Sequence, residues 1–187
     1  MLILHKISLL IERLLFSPET RAKRAGVIMG KENFIAGDFW SSEPYLITIG
    51  NHCQITRDVK FFTHGGGGAI RRQYPNFDCF GKITIGDYVY IGNNAMIMPG
   101  VSVGNNVIIG AGSVVTKSVP SNVVIGGNPA KILCKIEDYI QKNMKYNTES
   151  KNMAVTKKKM FLLSLSDSFF IKKKLMEDSL CKNEEGK

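Results

Sequence analysis

An aliphatic, β-branched residue stands at every sixth position from Ile85 through Ile91, Ile97, Val103 and Ile109 to Val115. Four places further on in each hexad comes a second small or apolar residue: Val89, Ala95, Val101, Val107, Ser113 and Val119. Neither an amphipathic helix nor a half-buried strand has this period, because apolar positions recur every three to four residues in the first and every second residue in the other. Gly86, Gly92, Gly104 and Gly110 follow the leading aliphatic, and Asp87, Asn93, Asn94, Asn105 and Asn106 come next. These types tolerate positive φ, so a sharp corner is expected where they recur. The chain must then coil, aliphatic inward, with three sides closing a triangular turn of about 18 residues. Stacked turns pair as parallel strands about 4.8 Å apart, and inward residues form ladders of like side chains. Stability is nearest-neighbour in character, so both ends need caps.

Charge is distributed in keeping with this. Of 25 basic and 16 acidic residues in the 187, residues 83–130 hold only Lys117 and Asp87. A stretch of that length without a charged face suits neither surface helices nor half-exposed strands. The 44% hydrophobic content excludes disorder throughout. Cys53, Cys79, Cys134 and Cys181 form no CxxC pair, which argues against a disulfide framework or zinc knuckle and for a reducing cytoplasm.

The frame extends backwards. Ile49, Ile55 and Phe61 take the leading position, Cys53 and Val59 are their inward partners, and Ile35 and Phe39 suggest an earlier, less regular coil. It breaks between Phe61 and Ile85, where Thr63, His64 and four glycines precede Arg71, Arg72, Tyr74 and Asp78. A loop leaving a rigid solenoid is where function concentrates. His64 is the candidate general base, since imidazole titrates near neutral pH and glycines let a substrate approach the backbone. His5 belongs to an apolar helical stripe at the N-terminus, and His52 sits at a corner facing solvent.

The hexads, Ile109 to Lys117 (IGAGSVVTK) and Gly126 to Lys131 (GGNPAK) resemble the hexapeptide-repeat acyltransferases of the left-handed β-helix fold. More narrowly, FFTHGG from Phe61 and YPNFDCFGK from Tyr74 resemble sugar O-acetyltransferases of bacterial capsule and O-antigen clusters. The resemblance spans roughly residues 30–140. It implies a homotrimer with active sites between subunits, acetyl-CoA as donor, a carbohydrate hydroxyl as acceptor and no metal. An N-acetyltransferase acting on an amino sugar is the alternative. A zinc hydratase of the carbonic anhydrase type needs three imidazoles, which His5 on the capping helix cannot join.

Residue by residue, the resemblance matches Asn93 and Ala111 to positions along the pantetheine arm, and Thr116 and Lys117 to the next contact, with Lys117 as partner for a CoA phosphate; Lys131 either adds charge near the nucleotide end or is a solvated surface lysine. Arg71, Arg72, Asp78 and Tyr90 are candidates for the acceptor side, although Tyr90 is equally explained by packing. Family members often carry an acid directly after the histidine; here Gly65 stands there. A backbone carbonyl, Asp78 or Asp58 is then expected to orient the ring. Cys53, buried in a ladder, is expected to be inert.

The expected organisation is an N-terminal helical cap over residues 1–26, a β-helix over 27–130 with a projecting loop at 62–82, and a helical extension over 131–187. Residues 1–16 lack a cleavage site and are too charged to span a bilayer. The extension places Lys157 to Lys159 and Lys172 to Lys174 around apolar sequence. Solvated lysines on a cap helix are one reading; weak contact with the inner membrane face is the other. Nucleic acid is not an expected partner, because the positive charge lies at the ends without a binding motif.

Overall fold

The computed structural model describes Glu12, residues 14–37 and residues 40–175. The N-terminal stripe with His5, Phe39 and Cys181 lie outside the described residues. Short parallel strands separated by tight corners form three sheets. The first contains β1 (Ile28–Met29), β3 (Ile47–Ile49), β6 (Ile83–Ile85) and β9 (Ser102–Val103). The second runs β2 (Phe34–Ile35), β4 (Gln54–Ile55), β7 (Tyr90–Ile91), β10 (Ile108–Ile109), β12 (Val123–Gly127) and β13 (Ala130–Lys135). The third holds β5 (Lys60–Phe61), β8 (Met96–Ile97) and β11 (Val114–Val115).

Register shows the coil. Thr84 pairs with Ser102, Tyr90 with Ile108 and Met96 with Val114, each 18 positions apart. One coil earlier, Thr48 pairs with Thr84, Gln54 with Tyr90 and Lys60 with Met96, 36 positions apart. The loop after β5 is therefore an inserted coil's length of chain that leaves the strand frame undisturbed. Both sets of hexad residues point inward: Ile91, Ile97 and Ile109 of the leading set are at most 1% exposed, as are Val89, Ala95 and Val107 of the second. Burying each aliphatic side chain contributes about 1.5–3 kcal/mol. Ser113, the polar member of the ladder, donates its hydroxyl to the Gly110 carbonyl at 2.6 Å and so carries no unpaired group inside.

The corners match the sequence expectation at Asn94 and Asn106, which have positive φ, and depart from it at the glycines: along the corner after the first sheet positive φ falls at His52, Tyr88, Asn106 and Asn122, two places after the glycine position, not at Gly86 or Gly104. Those glycines are required by close approach instead. A Cβ on Gly50 would stand 2.7 Å from the Gly86 carbonyl oxygen, one on Gly86 2.8 Å from that of Gly104, and one on Gly104 2.6 Å from the Ser121 nitrogen. The Asx side chains join adjacent coils. Asp87 accepts from the Asn51 amide at 2.6 Å, Asn105 from the Asp87 amide at 2.8 Å, and Ser121 from the Asn105 amide at 2.9 Å. The Asn51 amide holds the Asp87 carboxyl below its ordinary range.

Both ends of the coil are closed. Helix α1 (Pro18–Ala25) is capped by Ser17, whose hydroxyl accepts from Thr20 N at 3.2 Å, and it ends on Gly26 at φ 111°. Ala22 and Val27 complete the core at that end. At the other, β13 returns antiparallel along β12, with Val124 opposite Cys134 and Gly126 opposite Lys131. The expected boundary at residue 131 is thus corrected: the chain turns at Asn128–Pro129 into a hairpin that covers the last parallel edge before any helix begins. The chain divides into two compact units after Tyr139. Beyond that residue lie the end of helix α2 (Ile136–Met144) and helix α3 (Val155–Ser164), counting apart the four-residue helical turn Gly67–Ile70 inside the loop.

Candidate active site

Three successive contacts tie the segment before β3 to the end of β5. Trp40 stacks on Phe61 at 5.2 Å, Ser41 Oγ lies 2.8 Å from Thr63 Oγ1, and Glu43 Oε2 lies 2.7 Å from His64 Nδ1. Thr63 is fully buried and donates its hydroxyl to the same Glu43 oxygen at 2.7 Å, while its amide donates to Ser41 Oγ at 3.3 Å. Ser41 reaches this position at φ 64°, an uncommon conformation for a residue with a Cβ. The Thr63 hydrogen bond lowers the Glu43 pKa from its ordinary 4.5; burial opposes this, and the His64 hydrogen bond and charge add to it. An ionised Glu43 fixes the proton of the imidazole on Nδ1 and leaves the lone pair on Nε2, the arrangement a general base needs.

His64 is 37% exposed along its side chain and Glu43 16%, so the ring reaches solvent while its partner is sheltered. Phe80 crosses the ring at 5.5 Å, and a β-bridge between His64 and Phe80 fixes the base of the loop. The Gly81 amide donates to the Thr63 carbonyl at 2.7 Å. A Cβ on Gly81 would stand 2.6 Å from the Pro99 carbonyl carbon. The loop therefore leaves and rejoins the solenoid at one corner, and His64 stands at its foot.

Glu43 is a residue that the sequence reading does not single out, and it replaces the expected Asp78 or Asp58. Asp78 Oδ1 lies 3.3 Å from the Arg71 guanidinium, whose Nε donates to the Phe77 carbonyl at 3.0 Å, so both residues fold the loop upon itself. Asp58 occupies an exposed corner at φ 61°. Arg72 lines a shallow outer recess with Ala69, Ile70 and Gln73. Tyr90, 38% exposed, stands on the second sheet between Gln54 and Ile108, away from the corner of His64.

Asn93 and Ala111 stack where the second and third sheets meet: Gly112 N donates to the Asn93 carbonyl at 2.8 Å, and a Cβ on Gly92 would meet the Ala111 backbone. One side of the coil separates that corner from His64, about 20 Å for its roughly six residues at 3.3 Å each. Thr116 and Lys117 lie on the same edge as His64 but two coils on, about 10 Å along the axis. There Lys117 and Lys131 line one recess of ≈ 340 Å³ with Val115, Val119, Ile125 and Ile132. Two cations over an apolar wall fit the phosphate-bearing, nucleotide end of a CoA molecule. His52, at its corner, lies 3.2 Å from Glu32 and stacks on Tyr88 at 4.6 Å. Cys53 Sγ donates to the Gly86 carbonyl at 3.1 Å, and burial raises its pKa, away from nucleophilic behaviour. Among the described residues no group of three His, Cys, Asp or Glu is placed to hold a metal ion.

Residues 82–117 match the family model described as bacterial transferase hexapeptide (six repeats). Protein CapG of Staphylococcus aureus is 49% identical over 150 residues, covering 78% of this chain and 87% of that protein. Galactoside O-acetyltransferase of Escherichia coli is 38% identical over 98 residues, but this chain spans only 47% of its length. Among solved structures, a hexapeptide-repeat acetyltransferase of Vibrio cholerae superposes with a TM-score of 0.57 at 25% identity, covering 71% of this chain and 88% of that one. Its complex with acetyl-CoA superposes at 0.50 over 71% and 84% of the two chains.

Proposed function

This chain belongs to the bacterial hexapeptide-repeat transferases and is an acetyltransferase, and from that premise we propose that it acetylates a hydroxyl of a surface polysaccharide or of its precursor, with His64 as general base. The observation that carries the reading is the Glu43–His64 pair at the foot of the loop, 2.7 Å apart, with the ring open to solvent. Acetyl-CoA supplies an activated acyl thioester. His64 Nε2 takes the proton of the acceptor hydroxyl as its oxygen attacks the acyl carbon, and Glu43 offsets the positive charge that the ring gains. The same ring then returns that proton to the departing sulfur. An ester and a free thiol result, and His64 ends neutral.

On this reading Lys117 and Lys131 hold CoA phosphates, and Asn93 and Ala111 line its pantetheine arm. The distance between their corner and His64 within one chain favours a site completed by a neighbouring subunit, as in a homotrimer of left-handed coils. Arg72 and the outer loop are assigned to the acceptor. Tyr90, on the second sheet, serves only at such a boundary. This reading has the enzyme act in the cytoplasm, where CoA thioesters are made.

The test replaces His64 with Ala and incubates the protein with acetyl-CoA and a panel of glycans and sugar nucleotides. Wild type should add one acetyl group, seen by mass spectrometry and removed by mild alkali, as an ester is and an amide is not. The variant should bind acetyl-CoA normally and transfer nothing. Full activity of His64→Ala removes the ring from the reaction.

A further inference from the structure

The chain beyond Tyr139 forms its own compact unit, and the chemistry above uses none of it. Between residues 151 and 175 it carries seven lysines against one acid, Asp167. That carboxylate lies 3.9 Å from Lys172 with both side chains at least 70% exposed, a separation and exposure that neutralise little. Lys157, Lys158 and Lys159 occupy the first half of α3, a helix with no acid in its first turn and no side-chain cap. The helix dipole disfavours cations there, so their placement costs stability unless anions sit opposite them.

The same stretch exposes large apolar side chains. Val155 is 87% exposed, Met160 69%, Leu163 77%, Phe170 41%, Ile171 53% and Leu175 94%. Solvated lysines alone need no partner, and scattered apolar residues alone need none either. Lysines and apolar groups alternate around α3 and do not form two opposite faces, so the match to an anionic surface rests on charge: a triplet of lysines at each end, with exposed aliphatic and aromatic groups between them, complements negative headgroups and leaves apolar side chains to reach their boundary. No described helix is long and apolar enough to cross a membrane, which leaves contact in the plane of the surface.

We propose that residues 151–175 dock this protein on an anionic lipid bilayer, with Lys157–Lys159 and Lys172–Lys174 on the headgroups and Met160, Leu163, Phe170 and Ile171 at the acyl boundary. This docking is independent of the acetyl-transfer reading.

The experiment is co-sedimentation of the full chain with phosphatidylcholine vesicles, with and without about one third phosphatidylglycerol. Binding is expected only with the anionic lipid and should weaken steeply as salt rises. Exchanging Lys157, Lys158 and Lys159 together for Gln should weaken it by roughly 100-fold, at about fivefold per lysine. Met160→Ser with Leu163→Ser should weaken binding even at low salt, and none of these changes should alter transfer to a soluble acceptor. Equal binding to both vesicles, or none to either, overturns the proposal. So does a result in which the serine variants dissociate an oligomer while the wild-type chain ignores lipid, since the patch then faces another copy of the chain. Should a variant fail to fold, the lipid and salt dependence of the wild type still decides.

Discussion

On the proposed mechanism Glu43 is the residue on which the reactivity of His64 turns, and two replacements separate its charge from its shape. In Glu43→Gln the amide oxygen takes the place of Oε2, because both Thr63 Oγ1 and His64 Nδ1 direct a donor at that atom, each at 2.7 Å. The tautomer is therefore kept and only the charge is lost. Charge-assisted hydrogen bonds are about twice as strong as neutral ones, so kcat should fall roughly tenfold. Glu43→Ala removes the acceptor itself and frees the ring to rotate and to change tautomer. With His64 37% exposed, water takes over part of the lost contact, and the fall should be about 100- to 1,000-fold, within the range a general base contributes. The assay is the release of free CoA thiol under saturating acetyl-CoA, with acetyl-CoA affinity measured separately and expected to be unchanged. Alanine and glutamine variants that both keep more than half of the wild-type kcat would refute the argument. The pH dependence has a definite sign. Because the folded pKa of Glu43 is depressed below 4.5, its contribution to stability is complete above the unfolded value and is lost as pH falls through the folded one. Glu43→Gln should remove that part of the acid-side decline in Tm.

Two further predictions concern the cofactor edge and the coil. Lys117→Ala should weaken CoA binding by about five- to tenfold, as expected for one charge-assisted contact at a partly open recess, and should leave binding of the dephospho form nearly unchanged; calorimetry that finds equal losses contradicts a phosphate contact. Gly86→Ala forces a Cβ to 2.8 Å from the Gly104 carbonyl oxygen, a backbone atom that cannot swing away, and should cost about 2 kcal/mol, or roughly 5 °C in Tm. Gly65→Ala meets nothing within 4 Å and should melt as the wild type does.

The coil is legible because its period is written in residues that have only one place to go. Six leading aliphatics and their inward partners are too closely spaced in kind to be surface, and the structure buries them in ladders. The corner glycines are legible as corners but not for their cause. Positive φ is a local property and close approach of the next coil is not, so a glycine at a turn suggests the first even where the second applies. His64 is legible as an isolated imidazole in a glycine-rich break. Its partner is not, because the resemblance directs attention to an acid near the histidine in sequence.

In a solenoid the neighbours of a corner residue lie one coil away, and that fact carries the correction. The first described step, from Ile28 to Thr48, is 20 residues long. Counting about that far towards the N-terminus from Thr63 and His64 lands on Ser41 and Glu43, the residues that touch them. Glu43 thus has a signal in the sequence, a single acid between Trp40 and Pro44 at the corner below the histidine, and it becomes readable once the irregular first coil is kept in frame. The same reasoning explains how the loop can be inserted above it without disturbing the pair. Glu43 is held by Thr63, itself bonded to Ser41, from the coil side, whereas the outer loop folds on its Arg71–Asp78 contact and only its returning end touches the site, through the Gly81 bond to Thr63 and the Phe80 bridge to His64. On the proposed reading, acceptor preference can vary in the outer part of the loop while the base and its carboxylate stay fixed in the wall.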